Sequence, residues 1–131
     1  MSSTHAVALL SAAQDYTGSW ADLGGEAHTF GKKSIALWIE NDVNGGANMR
    51  VRCLAKHALS ATLEYSLPIK SVSASTVSIE ENYAEFNVDA DAKYVISWEL
   101  DGLVPKVQFQ VSAGTAGTPA AQVDSAYYTM A

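Results

Sequence analysis

The chain has 131 residues, 48% of them hydrophobic, which is enough for one domain with a proper core and too little for two ordinary ones. A net charge of −6 and a pI near 4.8 argue against a general affinity for nucleic acid or anionic membranes, because both need a basic surface that displaces counterions. No apolar run approaches the ~20 residues that span a bilayer, and the N-terminus lacks the pattern of a secretory signal. The single cysteine has no intramolecular partner, so the composition predicts folding in a reducing cytoplasm.

His5 to Leu10 is an apolar run short enough to suit either a strand or a helix start, and is read as a strand. Gln14 to Phe30 reads as a strand bent at Gly24-Gly25. Ser34 to Lys56 has the pattern of two strands around a polar turn, Asn41 to Gly46, whose Asx side chains and glycines reverse a chain. A long hairpin is the expectation. In its first arm Ile35, Leu37 and Ile39 point one way while Ala36 and Trp38 point the other, so both faces are apolar and cover is expected on both sides. In its second arm Met49, Val51, Cys53 and Ala55 share one face, and Arg50, Arg52 and Lys56 share the other with Leu54.

Thr62 to Ile69 alternates with Leu63, Tyr65, Leu67 and Ile69 on the inward phase, and Pro68 marks a strand end or an outer edge. Ser71 to Glu81 is a weaker strand through Val77 and Ile79, and Tyr83 to Val88 follows with Ala84, Phe86 and Val88 inward before Asp89-Ala90-Asp91. Lys93 to Val111 reads as a second hairpin about Asp101-Gly102. Its inward residues are Tyr94, Ile96, Trp98 and Leu100, then Val107, Phe109 and Val111, with Lys106, Gln108 and Gln110 outward. Residues 112–121 form a small-residue loop, and Gln122 to Met130 returns as a last strand through Val123, Tyr128 and Met130. Short strands with turn signals about every 8–12 residues predict an all-β, single-domain antiparallel β-sandwich, jelly-roll-like, with residues 1–15 as an N-terminal arm.

Catalytic signatures are missing. His5, His28 and His57 are scattered, and neither a Gly-x-Ser-x-Gly elbow nor a His-Glu-x-x-His helix is present. Glu40, Asp42, Asn44 and Gly45 begin like a calcium loop, but Val51 stands where the bidentate glutamate belongs, so the stretch reads as a solvated turn. The expectation is therefore no enzyme, no cofactor and no metal. Trp38 and Trp98, in strongly alternating strands, are read as core or subunit-interface residues, and Trp20, beside turn formers, as the exposed tryptophan. Arg50, Arg52 and Lys56 form a row able to meet acidic groups on a partner.

The segments from Ser19 to His57 and from Asp101 to Gly117 resemble small structural proteins encoded among the virion genes of tailed bacteriophages. The likeness rests on Trp20 to Gly25, on Leu37-Trp38-Ile39 before an Asp/Asn turn, on Arg50-Val51-Arg52, and on Val107 to Val111 before a small-residue loop. It implies a jelly-roll-like sandwich in the virion that decorates or cements the shell, with the phage major capsid protein or other virion proteins as partners. A homo-oligomer, a trimer in the first instance, is expected, with Arg50, Arg52, Lys56, Trp20, Tyr127 and Tyr128 facing partners. The competing reading is a carbohydrate-binding sandwich, or a tail or head-fibre accessory, using exposed aromatics.

Overall fold

Each alternating segment can dry only one of its faces, and the chain meets that constraint with two antiparallel sheets packed face to face. The computed structural model describes residues 6–42, 47–57, 59–60, 62–73, 78–79, 82–87, 93–114 and 121–131, and these hold strands and no helix. The first sheet contains β1 (Val7–Ala8), β2 (Gln14–Tyr16), β5 (Ser34–Asn41), β8 (Ile69–Val72), β11 (Lys93–Glu99) and β13 (Ala121–Met130). The second contains β3 (Ala21–Asp22), β4 (Ala27–His28), β6 (Met49–Lys56), β7 (Glu64–Ser66), β9 (Ser78–Ile79), β10 (Ala84–Phe86) and β12 (Lys106–Ala113).

The order in the first sheet is β1-β13-β5-β11-β8, with β2 also on β13, and in the second β3-β12-β6-β10-β9, with β4 on β12 and β7 on β6. The pairings nest: β2 with β13, β3 and β4 with β12, β5 with β11, β6 with β10. With β13 also on β5 and β12 also on β6, this is the wrapping of an eight-stranded jelly roll in which β3 and β4 share one position, into which β7, β8 and β9 are inserted and to which β1 adds beside β13. The expected β-sandwich is thus present.

Both expected hairpins are absent, because the two arms of each lie in different sheets. The edges of β5 are taken by β13 and β11, and those of β6 by β12 on one side and β7 and β10 on the other. The stretch after β5 is therefore an arch between sheets, of which residues 43–46 lie outside the described part. Asp101-Gly102 does have the left-handed backbone expected of a tight turn (φ 52° and 85°), yet it too carries the chain across the sandwich. The cause is side-chain packing. The inward faces of β11 and β12 stack on each other, with the rings of Trp98 and Phe109 5.6 Å apart, and Tyr94 meets Phe86 of the facing sheet at 4.0 Å. Side-by-side arms would leave those two faces without a lid.

Most inward assignments hold. Ile35, Leu37, Ile39, Met49, Val51, Cys53, Ala84, Phe86, Tyr94, Ile96, Trp98, Leu100, Val107, Phe109 and Val111 are all buried, while Val77, Val88 and the Asp89 to Asp91 stretch lie outside the described residues. The bend at Gly24-Gly25 is real. β3 and β4 both pair β12, and the four residues between them face only two on β12, Gln108 and Phe109, so the chain bulges. Gly24 occupies the bulge at φ +69°, where an added Cβ would lie 2.5 Å from the carbonyl oxygen of Leu9. Gln108, expected outward and solvated, is buried under this bulge, and its Nε2 donates to the carbonyls of Gly24 and Phe109 at 3.0 Å each.

Three expectations are corrected. Trp38 is 49% exposed, so among the described residues nothing closes over the second face of β5, and of its two readings, core or subunit interface, the core one is set aside. Leu63 and Tyr65 are exposed because β7 is short and lies on the outer flank of β6, beyond the reach of the facing sheet. Only Leu67 of that set is buried, at the point where the chain passes Pro68 and crosses to the first sheet.

Candidate binding surfaces

On the outer face of the second sheet, the basic row is present but engaged. Arg50 Nε donates to Glu85 Oε1 at 2.8 Å, and Asn48 Nδ2 donates to the other carboxylate oxygen at 3.0 Å. Arg52 donates through Nε and an NH2 nitrogen to Gln110 Oε1 at 2.9 and 2.6 Å, and Gln110 in turn donates to Asp22 at 2.9 Å. Lys56 lies 3.5 Å from Glu26, which also takes Lys106 at 3.1 Å. Trp20, expected to be the exposed tryptophan, is half-buried, with the Arg52 guanidinium 4.3 Å from its ring centre and Tyr83 5.9 Å away, and Arg50 stands 5.6 Å over Tyr83.

The electrostatics agree with a closed network. At Glu85 burial alone would raise the carboxyl pKa, but the hydrogen bonds from Arg50 and Asn48 and the Arg50 charge outweigh it, and the net shift is downward. The Lys106 hydrogen bond is the main reason that Glu26 is held below its ordinary range. Arg50, Arg52, Lys56 and Trp20 therefore act first as a clasp across β3, β6, β10 and β12, in which Arg50 reaches a partner 35 residues away in sequence and Arg52 one 58 residues away.

The two C-terminal tyrosines part company, as neighbours on a strand must. Tyr128, expected to face a partner, is instead buried with its ring 6.0 Å from Phe109, whereas Tyr127 is 43% exposed on the outer face of the first sheet. There Tyr127 sits directly opposite Trp38, with Ala8 beyond it on β1 and Val95 opposite Trp38 on β11. The Trp38 indole is fixed by donating Nε1–H to Thr129 Oγ1 at 3.0 Å. A recess of about 330 Å³ lies on this face against Trp38, Glu40, Lys93, Val95, Ser125 and Tyr127. A second, of about 410 Å³, is lined by Ala6, Trp38, Tyr127 and Thr129.

A separate apolar patch caps one end of the sandwich. Gly31 N donates to Gly102 O at 2.9 Å, Thr29 N to Pro105 O at 3.0 Å, and His57 N to Leu63 O at 3.0 Å, which fixes the loops of that end. Phe30, Leu59, Leu63, Tyr65 and Leu103 are exposed on them. With Trp38 and Tyr127 on the outer face of the first sheet, and Val7 at its edge opposite the inward-facing Tyr128, they make up the eight large hydrophobic side chains exposed among the described residues, so most of the apolar exposure falls on the loop end and on that outer face. Composition alone predicts neither, because Leu63 and Tyr65 alternate like core residues and Phe30 and Leu103 are single residues in turns.

Among the described residues no three His, Cys, Asp or Glu side chains group as a metal site. His28 and His57 stand exposed and apart, and His5 lies outside the described residues. Cys53 is fully buried, and desolvation pushes its thiol far above the usual range, which leaves it protonated and unreactive. No protein family matches the chain, and no curated protein or solved structure does either.

Proposed function

We propose that the chain is a non-enzymatic virion structural protein of a tailed bacteriophage, a capsid decoration or cement protein that binds the assembled shell and stabilises it. The observation that carries this reading is the loop-end patch, five large apolar side chains exposed at one end of the sandwich with Lys32 and Lys33 beside them. A catalyst or carrier needs one concave site with convergent polar groups. A protein that attaches to an assembled shell needs instead a surface that water is ready to leave, because the contact must bury apolar area. The jelly roll is compatible with that role and does not by itself select it, since the same wrapping serves capsids, lectins and cupins. The likeness of Trp20 to Gly25 and of Arg50-Val51-Arg52 to small virion proteins supports it from the sequence side.

The loop-end patch is the shell-facing surface in this reading. Phe30, Leu59, Leu63, Tyr65 and Leu103 supply desolvation, and exposed Lys32 and Lys33 beside Phe30 supply orientation toward acidic groups. The test is co-sedimentation, followed by negative-stain imaging, of the purified chain with assembled heads and tails of the phage whose virion genes encode it. The chain is expected on heads, and Phe30→Asp with Leu103→Asp is expected to abolish attachment without lowering the melting temperature, because both side chains already face water. Failure of the unaltered chain to bind heads or tails overturns the reading.

A further inference from the structure

The outer face of the first sheet is organised in three parallel rows. The central row is apolar, Ala8, Tyr127, Trp38 and Val95, one residue from each of four adjacent strands. Two residues along the strands on one side runs a charged row, Ser125, Glu40 and Lys93, in which Lys93 Nζ lies 3.8 Å from Glu40. Two residues along on the other side runs a hydroxyl row, Thr129, Ser97 and Ser71, with Ala36 between. Rows on one face of a sheet are spaced by two residues, about 7 Å.

From this pattern we infer that the face is a carbohydrate-binding site that stacks a pyranose ring on Trp38 and Tyr127. A pyranose has an apolar C–H face and a perimeter of hydroxyls, each able to donate and accept. The central row matches the first property and the flanking rows the second. A row about 7 Å from the stacking line is within reach of a ring hydroxyl plus one hydrogen bond of about 3 Å. Glu40 and Lys93 set an acceptor beside a donor, the arrangement that grips adjacent hydroxyls, and Ser125 adds a third polar contact. The indole is held in advance by Thr129, so no side-chain freedom is lost when a ring settles on it. The recesses of about 330 and 410 Å³, both lined by Trp38 and Tyr127, suit successive sugars of an oligosaccharide. A protein partner would want the flanking rows apolar or matched by a fixed complement, whereas a sugar uses them as they stand.

The site does not depend on shell attachment, which rests on the loop-end patch, so either can fail alone. The experiment titrates the full chain with the methyl pyranosides of glucose, galactose, mannose and N-acetylglucosamine, and with their disaccharides, following the Trp38 indole N–H by NMR. At least one of these sugars is expected to shift the Trp38 signal while leaving that of Trp98 in place. Trp38→Ala is expected to weaken binding about tenfold or more, the equivalent of about 1.4 kcal/mol. Trp38→Phe should retain part of it, and Lys93→Ala should weaken it severalfold with unchanged melting temperature. The inference is overturned if no sugar of the panel shifts the indole signal, or if Trp38→Ala leaves binding intact. It is also overturned if Trp38→Ala merely disperses an oligomer that no sugar affects, since the face then belongs to a second copy of the chain.

Discussion

Trp38 and Trp98 differ by one substitution's worth of argument, because both lie in alternating strands of the same sheet and one faces out while the other faces in. Trp98 is 0% exposed and packed on Phe109, so Trp98→Ala removes its transfer free energy and leaves a cavity, for about 3–5 kcal/mol. Trp38 is 49% exposed. A tryptophan that buries about 200 Å² when enclosed then buries about 100 Å² here, or about 2.5 kcal/mol at 25 cal/mol per Å². Residual burial in the unfolded chain trims that to about 1.5 kcal/mol, and water fills the vacated space, so no cavity term is added. The solvent-facing bond to Thr129 contributes a few tenths more. Urea unfolding of the two variants, with equal m-values, should place Trp98→Ala about 1–3 kcal/mol below Trp38→Ala. If Trp98→Ala fails to fold, Trp98→Phe against Trp38→Phe carries the comparison, with the larger loss again at residue 98. Equal losses at the two positions would refute the assignment of Trp38 to an open face.

Other perturbations test the bulge and the clasp. Gly24→Ala should cost about 1–3 kcal/mol by thermal unfolding, because φ +69° disfavours a Cβ and the new atom would meet Leu9 backbone, whereas Gly25→Ala, with open space around it, should be near neutral. The folded pKa of Glu85 lies below its ordinary 4.5, so its contribution is complete above about pH 4.5 and is lost as pH falls through the lower folded value. Glu85→Gln should therefore be less stable at pH 7, by about 1 kcal/mol for this partly exposed pair, and should converge with the parent chain in acid. Arg52→Ala should cost about 1–2 kcal/mol and raise the solvent exposure of Trp20 by iodide quenching; Arg52→Lys should recover little, since lysine lacks the two-pronged fork that Gln110 accepts.

Strand faces were legible from the residues, and strand neighbours were not. Alternation in Tyr94-Val95-Ile96-Ser97-Trp98 says which side chains avoid water, and the burial follows it. It says nothing about whether the next strand joins the edge of this one or lies across the core from it. Asn41 to Gly46 and Asp101-Gly102 carry turn chemistry that serves a hairpin and an arch alike, and the choice was made by distant strands, β13 and β12, that claim the edges first. The basic row shows the same limit. Arg50, Arg52 and Lys56 share a face as the sequence indicates, but Glu85, Gln110 and Glu26, which occupy them, come from far along the chain. Trp38 was ambiguous for another reason: a strand apolar on both faces looks identical whether its second cover is its own chain, another molecule or a ligand.

The two outer faces of the sandwich resolve that ambiguity by contrast. On the second sheet, every member of the basic row has an acid or amide within the chain, Trp20 lies beside a guanidinium, and the bulge folds over Gln108, so the polar atoms there are already used. On the first sheet the irregularities in pairing fall at Val123/Ser125 and Ser97/Trp98, and the Lys93–Glu40 pair lies to one side, so that Trp38 and Tyr127 both stay open to water. One indole bond orients the ring and leaves about half of the residue's surface in water. Keeping two large aromatics there forgoes burial that an inward register would have captured, and β5 cannot slip by one residue without sending Leu37 outward in exchange for Trp38. The register that seals the core thus fixes the aromatic row on the opposite face. The aromatic row of the first sheet and the packing of its core are set by the same pairing of β5 with β11 and β13.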